Sequence, residues 1–258
     1  MPELYFQDYP GPAGPPPLVL LHGLFGSGTN WRGIARRLSG QRRVLVMDLR
    51  NHGRSFNDGE MTYPLMAGDI FDTLDAEGLD RVDLVGHSMG GKAAMVAALE
   101  KPDRVARLVV VDIAPVPYTH SHAPLIDALL SLDVDGLKSR GEAEEALSDR
   151  IEDRMLRQFL LQSLEKSEAG YRWRLNLEAL KQGMEYLVGF PDMEGRVFDG
   201  PTLFLHGANS DYVQSGQRPL IEGCFPRTRY AAVGNAGHWV HAEQPESVIE
   251  HIADFLAR

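Results

Sequence analysis

Gly86-His87-Ser88-Met89-Gly90 sets a hydroxyl where it could attack a carbonyl. An apolar run, Val82 to Val85, precedes it, and a helical pattern of small residues, Gly91 to Leu99, follows. A serine between strand and helix sits on a tight turn that lifts its hydroxyl above the sheet. The flanking glycines leave out side chains that would clash there. The next backbone N–H, that of Met89, then points to where an oxyanion would form. With weaker flanks the pentapeptide would read as a glycine turn carrying a solvated serine.

A serine hydroxyl near neutral pH needs a base, and the base needs an orienting acid. Gly237-His238-Trp239, in a loop before the last predicted helix, supplies the base in His238. His241 is the rival, expected instead to pack near the start of that helix. The acid has two candidates. After the strand Thr202 to Leu205 the chain reads His206-Gly207-Ala208-Asn209-Ser210-Asp211. Three residues past the glycine, where folds of this class often hold an aspartate, stands Ser210. Asp211 comes one residue late, and adjacent loop residues point differently. Asp112 ends the strand Leu108 to Val111, on the same sheet edge as Ser88. The need for a base–acid hydrogen bond favours Asp112 over Asp211. Ser210 is then expected to hydrogen-bond to the His–Asp pair.

A second oxyanion donor is expected from His22-Gly23-Leu24-Phe25-Gly26, namely the Leu24 N–H, with Phe25 as runner-up. Phe25 and Trp173 are candidate substrate-lining residues, although cap packing would explain Trp173 equally well. His22 and His87 read as structural, and Asp48 to Ser55 as a braced loop whose Asp and Arg satisfy backbone groups. His120 and His122 have no third ligand or local carboxylate nearby, so no metal site is expected.

The elements that must hold these residues follow from hydrophobic patterning. Leu18 to Leu21, Val44 to Met47, Val82 to Val85, Leu108 to Val111 and Leu203 to Leu205 are short runs rich in Val and Leu. They read as parallel strands buried on both faces. Helical stretches separate them, as at Asn30 to Leu38 and Tyr63 to Glu77. This alternation predicts a doubly wound α/β fold with a mostly parallel sheet. From Glu246 to Leu256, Val248, Ile249, Ile252, Phe255 and Leu256 share one helical face. Residues 114–196 break the rhythm. They lack a convincing buried strand and read as a helical cap inserted into a core of 1–113 and 197–258. Leu156, Phe159, Leu160 and Leu164 follow helical spacing there and should face inward.

With 258 residues the chain can form one sizeable core. A net charge of -10 argues against nucleic acid and anionic membranes as partners. The single cysteine, Cys224, excludes an intrachain disulfide, and a cytoplasmic location is expected. Neither a signal peptide nor a membrane-spanning run is expected. A monomer and a dimer are equally compatible with the sequence.

Together, His22 to Gly26, Asp48 to Ser55, Gly86 to Gly91 and Gly237 to Trp239 resemble an α/β-hydrolase over nearly the whole chain. Val111-Asp112-Ile113-Ala114-Pro115 and His206 to Ser210 narrow the resemblance to small bacterial carboxylesterases whose acid follows the sixth strand. That resemblance implies a Ser88–His238–Asp112 triad assisted by Ser210, a helical cap, no cofactor, and esterase or thioesterase activity. The expected reaction is acyl transfer through Ser88 to water, on short- to medium-chain esters. Each oxyanion donor in comparable sites contributes about 3 kcal/mol. Activity is expected to fall in acid, once His238 is protonated. Dehalogenases and epoxide hydrolases of this fold use an aspartate nucleophile, which Ser88 argues against. A carbon–carbon bond hydrolase shares the triad and stands as the alternative. So does a non-catalytic ligand-binding relative, although every triad candidate is present.

Overall fold

The computed structural model describes residues 2–119, 121–168 and 170–257. The strands are β1 (Phe6–Tyr9), β2 (Leu18–Leu21), β3 (Val44–Met47), β4 (Val82–His87), β5 (Val105–Val111), β6 (Leu164–Ser167), β7 (Gly170–Trp173), β8 (Thr202–Gly207) and β9 (Thr228–Val233). Seven of them form one sheet in the order β1-β3-β2-β4-β5-β8-β9. Only β1 runs antiparallel to its neighbour. β2, β3 and β4 are buried at every residue, which explains the unbroken apolar runs of β2 and β3; in β4 the buried Asp83 is paired with Arg42 at 2.6 Å.

The helices are α1 (Arg32–Leu38), α2 (Tyr63–Ala76), α3 (Met89–Glu100), α4 (Ala123–Leu130), α5 (Arg140–Ala146), α6 (Arg154–Leu160), α7 (Leu177–Gln182), α8 (Met184–Val188), α9 (Arg218–Cys224), α10 (Val240–Glu243) and α11 (Pro245–Leu256). Strand alternation sorts the core into two layers. Val19, Leu21, Leu45, Met47, Leu108 and Val110 pack with α2 and α3. Leu18, Leu20, Val44, Val46, Val109 and Val111 pack with α1 and α11. The face read for the last helix is the one α11 buries: Val248, Ile252, Phe255 and Leu256 are buried, and Ile249 packs partly against them. Burying each such side chain contributes about 1.5–3 kcal/mol. α3 packs on β4 and β5 through an alanine-rich surface buried from Met89 to Leu99.

Between β5 and β8 lie α4 to α8 and the β6–β7 hairpin, and no strand there joins the main sheet. The hairpin is a departure from the all-helical expectation for this stretch. β6 and β7 are amphipathic, with Glu165 opposite Arg172 in the register and ion-paired to it at 2.6 Å. Strands with one wet, charged face leave no buried apolar run to read. β1 and β9 went unread for a related reason. They are the sheet's edges, partly exposed and mixed in composition. Among the described residues no helix is long and apolar enough to cross a membrane.

Candidate active site

Every polar group of the candidate site lies beyond the carboxyl end of a parallel strand. Ser88 follows β4 with φ 51° and ψ -118°, a conformation rarely adopted by a residue with a side chain. Its N–H donates to Val111 O at 3.0 Å, on the neighbouring strand. The turn closes so tightly that a Cβ on Gly86 would stand 2.1 Å from Gly90 O. Asp112 follows β5, also at positive φ (52°), and its N–H donates to Leu205 O at 2.9 Å. Backbone strain at two adjacent strand ends, held by the ladder beside each, aims both side chains to one side.

Between them stands His238. Its Nε2 lies 3.0 Å from Ser88 Oγ and its Nδ1 2.7 Å from Asp112 Oδ2. The same carboxylate oxygen accepts from Ser210 Oγ at 2.5 Å, and Oδ1 accepts the Gly207 N–H at 3.0 Å. The buried carboxylate thus has a donor for each oxygen besides the imidazole. Asp211 is exposed and does not reach the imidazole; its carbonyl accepts from Gln214.

Other rings hold the imidazole from both sides. Tyr212 stacks on it, centroids 4.0 Å apart and 21° from parallel. His87 Nε2 donates to the His238 carbonyl at 2.8 Å. Burial pushes the His87 imidazole well below its ordinary range, so it stays neutral. His241 stacks on Trp31 inside α10, just before α11, and burial lowers its pKa to about 4. His22 is fully buried, its pKa lowered to about 4 by desolvation. Its Nε2 accepts the Leu49 N–H at 3.0 Å, so Nδ1 carries the proton donated to Gly23 O at 2.8 Å. His22 therefore braces the Gly23–Gly26 turn against the strand end after β3. Asp48 braces the same region, accepting from the N–H groups of Gly28 (2.6 Å) and Arg54 (2.9 Å).

That turn presses against the hydroxyl. A Cβ on Gly23 would meet His87 Nδ1 at 2.8 Å and Ser88 Cβ at 3.3 Å. Met89 opens α3, so its N–H has no carbonyl partner within the helix. Leu24, Ser88 and Met89 line one common cavity.

The cleft forms two chambers that meet at Ser88. One is lined by Phe25, Leu156, Phe159, His238 and Trp239. The other runs past Met89 to Tyr118, Tyr212 and Lys92. Trp173 lines neither chamber. It sits on β7, packs partly against the core, and borders a separate surface groove with Gly53 and Arg54. It lies opposite buried Leu164 in the hairpin register and packs against the core, so packing accounts for it and neither chamber uses it as a substrate-lining residue. His122 lines both chambers and lies edge-on to Phe25, centroids 6.1 Å apart. His120 lies outside the described residues. Among those residues, no group of three or more His, Cys, Asp or Glu side chains converges as a metal site.

A family model described as the alpha/beta hydrolase fold matches residues 16–245. The chain is an α/β-hydrolase. This hydrolase is 42% identical over 262 residues to the sn-1-specific diacylglycerol lipase ABHD11 of Xenopus tropicalis, covering 98% of this chain and 82% of the relative. It is 38% identical over 241 residues to Esterase YbfF of Escherichia coli strain K12, covering 93% and 92% of the two chains. Among solved structures, a marine microorganism esterase superposes with a TM-score of 0.93 at 39% identity, covering 99% of this chain and 100% of that one.

Three residues of the hydrolase's site were missed in the sequence. Lys92 stands four after Ser88, in the first turn of α3, whose N-cap is Ser88, and that spacing could have exposed it. Tyr118 and Tyr212 gave no local signal. They meet, centroids 5.0 Å apart, only because the Tyr118 hydroxyl reaches Tyr212 O across the fold.

Proposed function

We propose that this α/β-hydrolase cleaves carboxylic esters of short to medium acyl chain, and thioesters by the same route, through an acyl-Ser88 intermediate. The class, a serine ester hydrolase, is that of its esterase and lipase relatives. The observation that carries the mechanism is the unbroken line from Ser88 Oγ through His238 to Asp112, at 3.0 and 2.7 Å. His238 takes the Ser88 proton as Oγ attacks the carbonyl carbon. Asp112 fixes the imidazole tautomer and stabilises the imidazolium, while Ser210 and the Gly207 N–H hold the carboxylate. The Leu24 and Met89 amides stabilise the tetrahedral oxyanion. His238 then protonates the leaving alcohol, and water repeats the attack to release the acid.

Residues 114–196 act in this reading as a cap that closes over the acyl group. The single cysteine accords with a cytoplasmic enzyme, monomeric or dimeric, that acts on small molecules.

Initial rates on p-nitrophenyl esters from acetate to laurate, with Ser88→Ala protein as blank, test the reading. Turnover that disappears in the blank, with an optimum at or below medium chain length, is the expected result. Rates indistinguishable from the blank across the series overturn it and direct attention to vinylogous diketones, the substrates of a carbon–carbon hydrolase.

A further inference from the structure

The two chambers at Ser88 differ in chemistry, and the mechanism assigns each a half of the ester. The leaving alcohol must receive its proton from His238. His238 and Trp239 line the aromatic chamber, so the alcohol belongs there. The acyl group then points into the opposite chamber, past Leu24 and Met89. An ammonium borders that chamber.

Lys92 is 1% exposed. Its backbone N–H donates to Ser88 O at 3.0 Å, one helical turn from the hydroxyl. Its Nζ donates to the carbonyls of Val188 (3.0 Å) and Gly189 (2.5 Å). The rings of Tyr118 and Tyr63 lie 4.8 and 5.7 Å away. An ammonium has three donors, and two are engaged. Among the described residues no carboxylate pairs with it, and burial alone pulls its pKa to about 7. A buried cation without a counterion is costly, and the cost is relieved by an anion brought in with a ligand. An arginine–carboxylate pair elsewhere in the chain, Arg50 with Asp69 at 2.6 Å, has that relief built in.

Building on the esterase reading above, we propose that Lys92 is a specificity-determining residue that selects acyl groups ending in a carboxylate. The substrates are half-esters of short dicarboxylic acids. Ser88 and Lys92 line the same small chamber, and the Lys92 N–H bond to Ser88 O keeps them within one turn of each other, which suits a diacid with few methylenes. Ser88 attacks the esterified carbonyl while the free carboxylate takes the remaining Lys92 donor. Water later releases the diacid, so the covalent steps are those of the simple ester.

Monoethyl glutarate and ethyl pentanoate differ at the chain terminus, carboxylate against methyl, and a pH-stat follows both. The expected kcat/KM ratio favours the glutarate half-ester by about tenfold or more, the worth of one charge-assisted hydrogen bond. Lys92→Met is expected to lower that ratio by a similar factor. A wild-type ratio at or below one overturns the proposal. So does a variant that loses activity on both esters equally, because Lys92 would then only hold residues 188 and 189. Should Lys92→Met fail to fold, competitive inhibition of the wild type by glutarate against pentanoate decides, and equal inhibition overturns the proposal. Cleavage of ethyl acetate above a Ser88→Ala blank is the control: its absence defeats the esterase reading, whereas its presence with no glutarate preference defeats only the role of Lys92.

Discussion

Ser88 and Asp112 are held by the backbone ladder of the sheet, whereas the residues covering them are held by a mixture of side-chain and isolated backbone bonds. Ser88 and Asp112 each donate a backbone N–H to the next strand, at Val111 and Leu205. Above them, Leu187 is caught by the Tyr63 hydroxyl at 2.6 Å, and Val188 and Gly189 by Lys92. Asn176 ties the start of α7 to Asn51, through backbone (3.0 Å) and side chain (3.0 Å). Backbone ladders fix the attacking geometry whatever substrate arrives. Tethers of single side chains, such as those of Tyr63 and Lys92, can be altered one at a time, whereas the ladder beside Ser88 cannot.

Asp112→Asn gives the sharpest contrast between the two regions. It is expected to lower kcat on p-nitrophenyl butyrate about ten-thousand-fold, by presenting the wrong hydrogen-bonding group to the imidazole. Asp211→Asn should leave kcat within about twofold, because an exposed carboxylate off the relay contributes little. Equal losses would break the assignment of the acid to the strand end.

Lys92 tests the covering region through stability. Its folded pKa of about 7 lies below the ordinary lysine value of 10.5. Between those values the unfolded chain binds a proton that the folded chain does not, so stability rises with pH there and is lost as pH falls toward 7. Relative to Lys92→Met, the wild type should gain about 1.4 kcal/mol per pH unit across this window in urea titrations. A difference independent of pH would mean that the ammonium is not desolvated.

Ser210→Ala removes one donor from a carboxylate that keeps Gly207 N–H and His238. A loss of about tenfold in kcat is expected, the worth of one hydrogen bond to a charged group. Wild-type activity in this variant would reduce Ser210 to loop packing. Trp173→Ala should change turnover of the acetate ester least of all, within about twofold, because the side chain lies off both chambers.

The sheet's interior was legible because strands buried on both faces are mostly apolar, as β2 and β3 are throughout and β4 is apart from Asp83 and His87. Ser88 was legible for a similar local reason, since the glycines around it answer a steric demand set within five residues. Asp112 required a geometric argument, because two aspartates each follow a strand and only the register of neighbouring strands separates them. Tyr212 and Tyr118 could not be read. Their roles arise from contacts between residues 94 apart in sequence, with no local pattern to mark them. Trp173 misled for the opposite reason, since a large aromatic in the cap suggests a pocket wall until its pairing with Leu164 and its packing on the core are known.

The pairing of β4 with β5 bears on the order of events in folding. Ser88 and Asp112 are joined through one helix and adjacent strands, a local crossover that closes a short loop. His238 reaches Ser88 across 150 residues and Asp112 across 126. Contacts of such separation carry the larger loop-closure entropy. Of the three triad members, the imidazole is thus the one whose contacts close the longest loops. Because His238 follows β9, the last strand, the triad can be complete only once the chain has been made almost to its end.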